Sequence, residues 1–160
     1  MGVRLPLWSA IAIGVVVVDQ LSKLAAQAFL GYHEPVGLLP VLNLTLSYNP
    51  GAAFSLLGKA GGWQRWLFMA FALAVSVFLV AWLRRLPPGE RWQTWGLALI
   101  LGGAVGNVID RVAYGHVVDF IHVYWRDWHY PIFNVADSAI TVGVVVVLIH
   151  AFFLDGRRTA

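Results

Sequence analysis

Cysteine is absent from this chain of 160 residues. Its absence excludes disulfides, thiolate metal sites and a cysteine nucleophile. Charged residues are also scarce, because they make up 12% of the sequence while hydrophobic residues make up 59%. A typical soluble domain carries about 25% charged residues. This composition indicates an integral membrane protein.

The excess of positive charge is small and dispersed. The chain carries 11 Lys and Arg against 8 Asp and Glu, for a net charge of +3. These basic residues are scattered and form no continuous helix face, so we expect no nucleic-acid partner. No glycine-rich phosphate loop is present either. We interpret the basic residues as signals of membrane topology.

Four long apolar segments are predicted to cross the membrane, since each approaches the roughly 20 residues that a crossing requires. They span about residues 7–30, 66–83, 95–113 and 132–154 within one predicted membrane-embedded domain, residues 1–160. The first segment is longer than the apolar core of a signal peptide, and no small-residue cleavage site follows it. We therefore expect a retained crossing.

Arginines predict the orientation of these spans, because cytoplasmic loops carry the excess of basic residues. They precede the first span, lie between the second and third, and follow the fourth: Arg4, Arg84, Arg85, Arg91, Arg157 and Arg158. Both termini are therefore predicted to be cytoplasmic. The connections 31–65 and 114–131 are then extracytoplasmic.

The first outer connection contains a predicted strand. Residues 41–48 alternate apolar and polar side chains, and a turn signal, Asn49-Pro50-Gly51, follows. A strand at the membrane surface needs a partner, and residues 115–124 supply a second stretch of β-branched and aromatic residues. Residues 52–57 form a short amphipathic segment.

Charged residues inside membrane spans are costly and usually have a partner or a function. Asp19 and Lys23 lie four residues apart on one helix face, which favours an internal ion pair. Asp110 lies one turn after Asn107, and glycines precede both. A polar cluster that packs the third span and a role in a site are both open for Asp110.

Asp119 and Asp137 are the candidate catalytic pair. Asp119 lies in the outer connection, and Asp137 lies six residues beyond Pro131, about 9 Å into a helix that would start there. Asn134 occupies the same helix face as Asp137. Two adjacent carboxylates share a proton, so one can activate water while the other protonates the leaving nitrogen. From spacing alone, two acids near the end of a bundle could instead bind a cation or stabilise the fold.

Other chemistries are disfavoured by the sequence. A serine–lysine catalytic pair needs a lysine beside a serine. The lysines are Lys23 and Lys59, and Ser22 points away from Lys23 on a helix. His116, Asp119 and His122 are three residues apart, which would suit a metal on a helix but alternates faces on a strand. The remaining histidines, namely His33, His129 and His150, are interpreted as interface or packing residues.

Five ordered motifs resemble the bacterial lipoprotein signal peptidases, or signal peptidase II. They are residues 19–23 (DQLSK), 49–54 (NPGAAF), 102–111 (GGAVGNVIDR), 115–120 (GHVVDF) and 133–138 (FNVADS). The resemblance extends over nearly the whole chain. It implies four transmembrane helices with a small extracytoplasmic β-cradle and a short amphipathic helix.

The resemblance also implies an activity in the bacterial inner membrane. The enzyme would be an aspartic endopeptidase that cuts prolipoproteins just before a cysteine modified with diacylglycerol. Asp119 and Asp137 would be catalytic, without a metal or another cofactor, and Asp19, Lys23 and Asp110 would be supporting residues. The implied substrate-binding residues are Asn49, Gly51, Asn107, Arg111 and Asn134. The implied inhibitor is globomycin, and we expect a monomer in contact with membrane lipid.

Two functions from other classes remain as alternatives. A small cation or proton carrier would use Asp19, Asp110 and Asp137 as relay sites at different depths. A structural subunit of an assembly would need none of these carboxylates. The concentration of polar residues at the outer ends of the third and fourth spans disfavours the second alternative.

Overall fold

The computed structural model of the chain describes residues 6–51 and 63–154. The predicted amphipathic segment 52–57 lies outside the described residues, as do Arg4, Arg157 and Arg158. The membrane spans and the strands lie within them.

Four helices in the described ranges are long and apolar enough to cross a membrane. Helix α1 spans Leu7–Phe29, α2 spans Trp63–Arg85, α3 spans Arg91–Ala113, and α4 spans Val135–Ile149 and continues as a π-helix over His150–Leu154. The third helix begins four residues before the predicted span. The fourth begins three residues after it, because Phe133 pairs with Ile121 in an antiparallel bridge and is held in extended conformation.

A small antiparallel sheet caps the helices. Its strands β1 (Val36–Leu39), β2 (Leu42–Asn49), β3 (Val117–Trp125) and β4 (Trp128–His129) lie in the order β1-β2-β3-β4. The predicted pairing of the two outer connections is thus confirmed as β2 against β3, while β1 and β4 were not predicted. Four helices with a small sheet confirm the predicted fold class.

Glycines of α3 allow the helices to approach closely. A Cβ atom on Gly102 would lie 2.7 Å from Val15 Cβ of α1, and one on Gly106 would lie 2.6 Å from Asp19 Oδ2. Gly103 abuts the backbone oxygen of Ala136 in α4. Small residues serve this purpose in membrane helices. As a result, α3 packs directly against both α1 and α4.

A buried apolar cluster fixes the sheet on the end of the helical bundle. It consists of Ala26 from α1, Leu46 from β2, and Val118 and Phe120 from β3. Val118 is fully buried. Because Asp119 lies between two of these anchored residues, its side chain points to the other face of the strand. There it meets the ends of α3 and α4.

Candidate active site

Strand β3 carries Asp119 to the junction of the sheet and the helices. Asp119 faces Ser47 in the register of β2 and β3. Only 2% of the residue is exposed. Its Oδ2 accepts a hydrogen bond from Asn49 Nδ2 (3.2 Å), and its Oδ1 accepts one from Asn134 Nδ2 (2.7 Å). Two asparagines thus orient this carboxylate.

Asp137 lies in the first turn of α4, and not about 9 Å along a helix as the sequence suggested. The helix starts at Val135, so Asp137 is its third residue. Asn134 and Asp137 form a capping box, in which Asp137 N–H donates to Asn134 Oδ1 (2.9 Å) and Asn134 N–H donates to Asp137 Oδ2 (3.2 Å). The carboxylate is therefore placed by the helix start itself, where the backbone dipole favours a negative charge.

Two asparagine side chains connect the aspartates. Asn107 Nδ2 donates to Asp137 Oδ1 (2.8 Å), and Asn134 Nδ2 contacts Asn107 Oδ1 (3.2 Å) as well as Asp119 Oδ1. Asn134 is fully buried. The tertiary structure therefore joins β3, α3 and α4 in one polar network around the two carboxylates.

Electrostatics at Asp119 favour a retained proton. Burial, followed by repulsion from the carboxylate of Asp137, raises the pKa of Asp119 to about 7. The hydrogen bonds from Asn49 and Asn134, together with the more distant charge of Lys23, act in the opposite direction. Near neutral pH, Asp119 is thus a carboxylic acid that can give or take a proton.

Asn49 is held in place by the turn that follows β2. Its Oδ1 accepts a hydrogen bond from Gly51 N–H (3.0 Å). Gly51 has a φ of 119°, which a residue with a side chain rarely adopts. Asn49 contacts Asp119 directly, whereas the described contact of Gly51 is with Asn49.

Arg111 brings a cation to the last turn of α3. One of its terminal nitrogens donates to Asn107 O (3.1 Å), and the guanidinium lies 6.0 Å from the centre of the Phe68 ring. It is close enough to interact electrostatically with Asp119 and Asp137. Its Nε is buried and has no hydrogen-bond partner among the described residues. Arg111 therefore has an unsatisfied donor close to the aspartate network.

Beneath the aspartate pair lies a buried ionic cluster. Lys23 Nζ lies 2.8 Å from Asp19 Oδ2 and 2.8 Å from Asp110 Oδ2, so the ion pair predicted from spacing within α1 is present. Lys23 also donates to Asn107 Oδ1 (3.1 Å). The cluster therefore contacts the network of Asn107 from below.

Backbone contacts extend this cluster to the neighbouring elements. Asp19 Oδ1 accepts from Ala136 N–H (2.8 Å), and Asp110 Oδ2 accepts from Val118 N–H (3.0 Å). Sequence reasoning missed Gln20. Its Nε2 donates to Asp19 Oδ2 (3.1 Å) and to Asp110 Oδ1 (2.9 Å). The available signal was a second polar side chain directly beside Asp19 in a mostly apolar span.

Histidines are spread over several surroundings. His116 packs against Tyr48 and Tyr114, while His122 contacts Thr45 and His129. The spacing of His116, Asp119 and His122 therefore does not assemble a metal site. Residues 6–51 and 63–154 contain no group of three or more potential metal ligands.

A cavity of about 300 Å³ opens beside Asp137. Its lining combines aromatic rings with the polar face of the first two turns of α4: Tyr130, Phe133, Asp137, Ser138, Thr141 and Val142. The Asp137 carboxylate therefore borders open space. The geometry therefore combines paired carboxylates, amide donors, a cation and access from one side.

Comparison with known proteins identifies the family to which this architecture belongs. The model of the family described as signal peptidase (SPase) II matches residues 11–153. A lipoprotein signal peptidase from Acinetobacter baylyi is 49% identical over 152 residues, which cover 95% of this chain and 85% of the relative. Another, from Pseudomonas aeruginosa, is 53% identical over 151 residues, with 93% and 89% covered.

A solved structure agrees with this comparison. It is a bacterial membrane enzyme determined by the in meso method, 32% identical, with a TM-score of 0.82 and coverage of 96% of this chain and 91% of the other. With a family match over most of the chain and relatives near 50% identity, this protein belongs to the signal peptidase II family.

Proposed function

We propose that Asp119 and Asp137 are the catalytic pair with which this lipoprotein signal peptidase cleaves diacylglyceryl-modified prolipoproteins just before the lipidated cysteine. The observation that carries the proposal is the joining of two buried carboxylates through the side chains of Asn134 and Asn107. The two carboxylates repel each other, so they titrate as a pair. Such a pair hydrolyses amides without a cofactor.

In the proposed mechanism, Asp119 begins as the acid and Asp137 as the base. Asp119 keeps its proton near neutral pH because its pKa is raised to about 7. Asp137 sits at a helix start that favours an anion and takes a proton from water as the water oxygen attacks the scissile carbonyl carbon. Asp119 gives its proton to the carbonyl oxygen. As the C–N bond breaks, the leaving nitrogen takes the proton from Asp137 and becomes the free amino group of the lipidated cysteine. Asp119 recovers its proton from a hydroxyl group of the tetrahedral intermediate, which collapses to the carboxylic acid.

Surrounding polar residues are proposed to bind the substrate backbone. Arg111 supports this role because its buried Nε has no partner among the described residues. Asn49, Asn107 and Asn134 already contact the carboxylates and can exchange those contacts for a peptide. Gly51 is proposed to act by orienting Asn49.

The location of the pair suits a lipid-anchored substrate. Asp137 lies in the first turn of a membrane-spanning helix, and acyl chains hold a lipidated cysteine close to that depth. Arg84 and Arg85 lie at the end of α2, and Arg91 begins α3. These basic residues therefore lie at the end of the bundle opposite to the aspartates. The positive-inside rule then supports cytoplasmic termini and a site near the extracytoplasmic face of the inner membrane.

The test is cleavage of a synthetic diacylglyceryl prolipoprotein peptide by purified variants. We expect Asp119→Asn and Asp137→Asn each to abolish turnover while the protein still inserts and purifies. Asp127→Asn is the matched control, because Asp127 is an exposed residue of the hairpin between β3 and β4. Retained turnover in either of the first two variants would refute the catalytic role of that aspartate.

Two further properties belong to the same proposal. Globomycin is expected to inhibit the wild-type enzyme, and cleavage that persists at saturating globomycin would contradict a family-type site. The enzyme is expected to act as a monomer, because the described catalytic network comes from one chain. Light scattering of the detergent complex, corrected for bound detergent, would reveal a stable dimer.

The alternative of a cation or proton carrier receives less support from the geometry. Asp19 and Asp110 are both ion-paired with Lys23 and accept backbone hydrogen bonds as well. A relay site must release its contacts to pass on a proton or a cation, whereas both carboxylates are tied by an ion pair and by a backbone hydrogen bond. Proton or cation flux into liposomes that persists in Asp119→Asn would revive the alternative.

A further inference from the structure

His122 and His129 form a pair of imidazoles outside the aspartate network. His129 lies opposite Tyr124 in the register of β3 and β4, and His122 precedes Tyr124 by two residues on the same face. His122 Nε2 and His129 Nδ1 are 3.1 Å apart. Their rings are stacked with centres 5.1 Å apart. Two ring nitrogens of adjacent strands thus face each other.

The separation of these nitrogens suits a shared metal ion. Zn²⁺ lies about 2.0 to 2.1 Å from each histidine nitrogen, so two ligands at tetrahedral or right angles are about 2.9 to 3.4 Å apart. The observed 3.1 Å falls in this range. A metal can therefore replace the proton between the rings with little movement of either strand.

The surroundings of His122 favour the form that binds metals. Its Nδ1 lies 3.4 Å from the hydroxyl of Thr45, which is buried. A proton on Nδ1 then faces this hydroxyl and leaves the Nε2 lone pair directed at His129. Metal-bound histidines commonly donate a hydrogen bond from the ring nitrogen that does not bind the metal. Partial burial and the neighbouring His129 lower the pKa of His122, which favours the neutral ring.

His129 is free to adopt the complementary form. It is exposed, and Tyr124 stacks on its ring at 5.9 Å and 17°. Its proton can move from Nδ1 to the exposed Nε2, which leaves Nδ1 to face the metal. Tyr124 meanwhile fixes the plane of the ring.

We propose that His122 and His129 form a two-histidine site for a divalent transition metal such as Zn²⁺ or Cu²⁺, with water completing the coordination. Imidazole ligands favour these ions over Mg²⁺ and Ca²⁺. His122 lies three residues after Asp119 on β3 and therefore points to the opposite face of the strand. The site is thus separate from the aspartate pair, and its two ligands come from β3 and β4.

Isothermal titration of Zn²⁺ into the tag-free, detergent-purified protein tests the site. We expect one ion per chain, and we expect His122→Ala and His129→Ala each to weaken binding more than about tenfold. His116→Ala is the matched control, since His116 is another histidine with aromatic neighbours beside the same sheet. It should leave binding unchanged.

Electron paramagnetic resonance of the Cu²⁺ complex gives an independent readout. Wild type should show nitrogen couplings from two imidazoles, and either single variant should lose one or both. Peptidase activity should persist in both variants, which verifies that they are folded. His122→Gln provides a second variant if the alanine form does not purify.

Three results would refute the proposed two-histidine metal site. They are no Zn²⁺ uptake by wild type at millimolar concentration, unchanged uptake in the His122→Ala/His129→Ala double variant, and equal uptake of Mg²⁺. None of them bears on the role of the aspartates, since the peptidase assay uses a different readout.

Discussion

Asp119→Asn is expected to remove activity and to change how stability depends on pH. In the unfolded chain, the carboxyl titrates at about 3.8, whereas in the folded chain its pKa is about 7. Below about pH 3.8, both states hold the proton and Asp119 contributes no difference. Between these values, the unfolded state has lost its proton while the folded state keeps it, so the free energy of unfolding falls as pH rises. Well above about pH 7, both states have lost the proton and the free energy of unfolding falls no further on account of Asp119.

The magnitude follows from the two pKa values. Each pKa unit corresponds to about 1.4 kcal/mol, so the ionised form costs the fold up to about 4 kcal/mol at high pH. The asparagine side chain of the variant has no such titration. The difference in stability between variant and wild type should therefore rise in favour of the variant by up to about 4 kcal/mol from about pH 4 to about pH 8. Comparing two pH values cancels hydrogen-bond losses that do not depend on pH.

Thermal unfolding in detergent, followed by tryptophan fluorescence, measures this difference. The chain contains 8 tryptophans. For a protein of this size, about 1 kcal/mol corresponds to about 2 to 4 °C in Tm, so the upper limit is a relative gain of about 8 to 16 °C. Asp127→Asn should leave the pH dependence of wild type unchanged. A variant of Asp119 whose Tm follows the wild-type curve would refute the claim that burial holds the proton.

Three other predictions can be tested with the same preparations. Peptidase activity should fall as pH rises through about 7, because Asp119 loses the proton that it donates; a kcat/KM profile that keeps rising well above this pH would contradict the assignment. Asp110→Asn should lower the free energy of unfolding by about 3 to 5 kcal/mol, since it leaves Lys23 with one carboxylate fewer. An unchanged denaturation midpoint would be inconsistent with the view that the buried ionic cluster stabilises the helical bundle. Gly106→Ala should lower the free energy of unfolding by about 1 to 3 kcal/mol, because its Cβ would lie 2.6 Å from a carboxylate oxygen of α1. Gly14→Ala is the control, since its Cβ would meet no atom within 4 Å and should leave stability unchanged. Equal Tm values for the two variants would count against close helix packing.

Local patterns were sufficient for the membrane spans and for one pair of strands. Apolar runs of about 20 residues have few alternatives to crossing a membrane, and alternation over residues 41–48 favours a strand. The ends of the helices could not be read from local patterns. Helix α4 starts at Val135 because Phe133 is held by Ile121, a contact between residues 12 positions apart. The strands β1 and β4 are too short to carry a periodic signal.

The ionic cluster shows how far spacing can reach. Asp19 and Lys23 lie on one helix face, so their ion pair followed from α1 alone. The second carboxylate, Asp110, comes from α3 and joins Lys23 only because glycines bring the two helices together. Gln20, which donates to both carboxylates, had no local signal beyond its polarity.

By itself, the sequence determined a four-span membrane protein, and its ordered motifs pointed to the peptidase family and to Asp119 and Asp137 as a candidate pair. Only the tertiary structure decided that the two aspartates belong to one network, because Asn107 and Asn134 come from different elements and connect them. It also set the raised pKa of Asp119, since burial and the charge of Asp137 arise from packing. Burial and through-space charge depend on neighbours that are distant along the chain, and spacing alone carries no information about them.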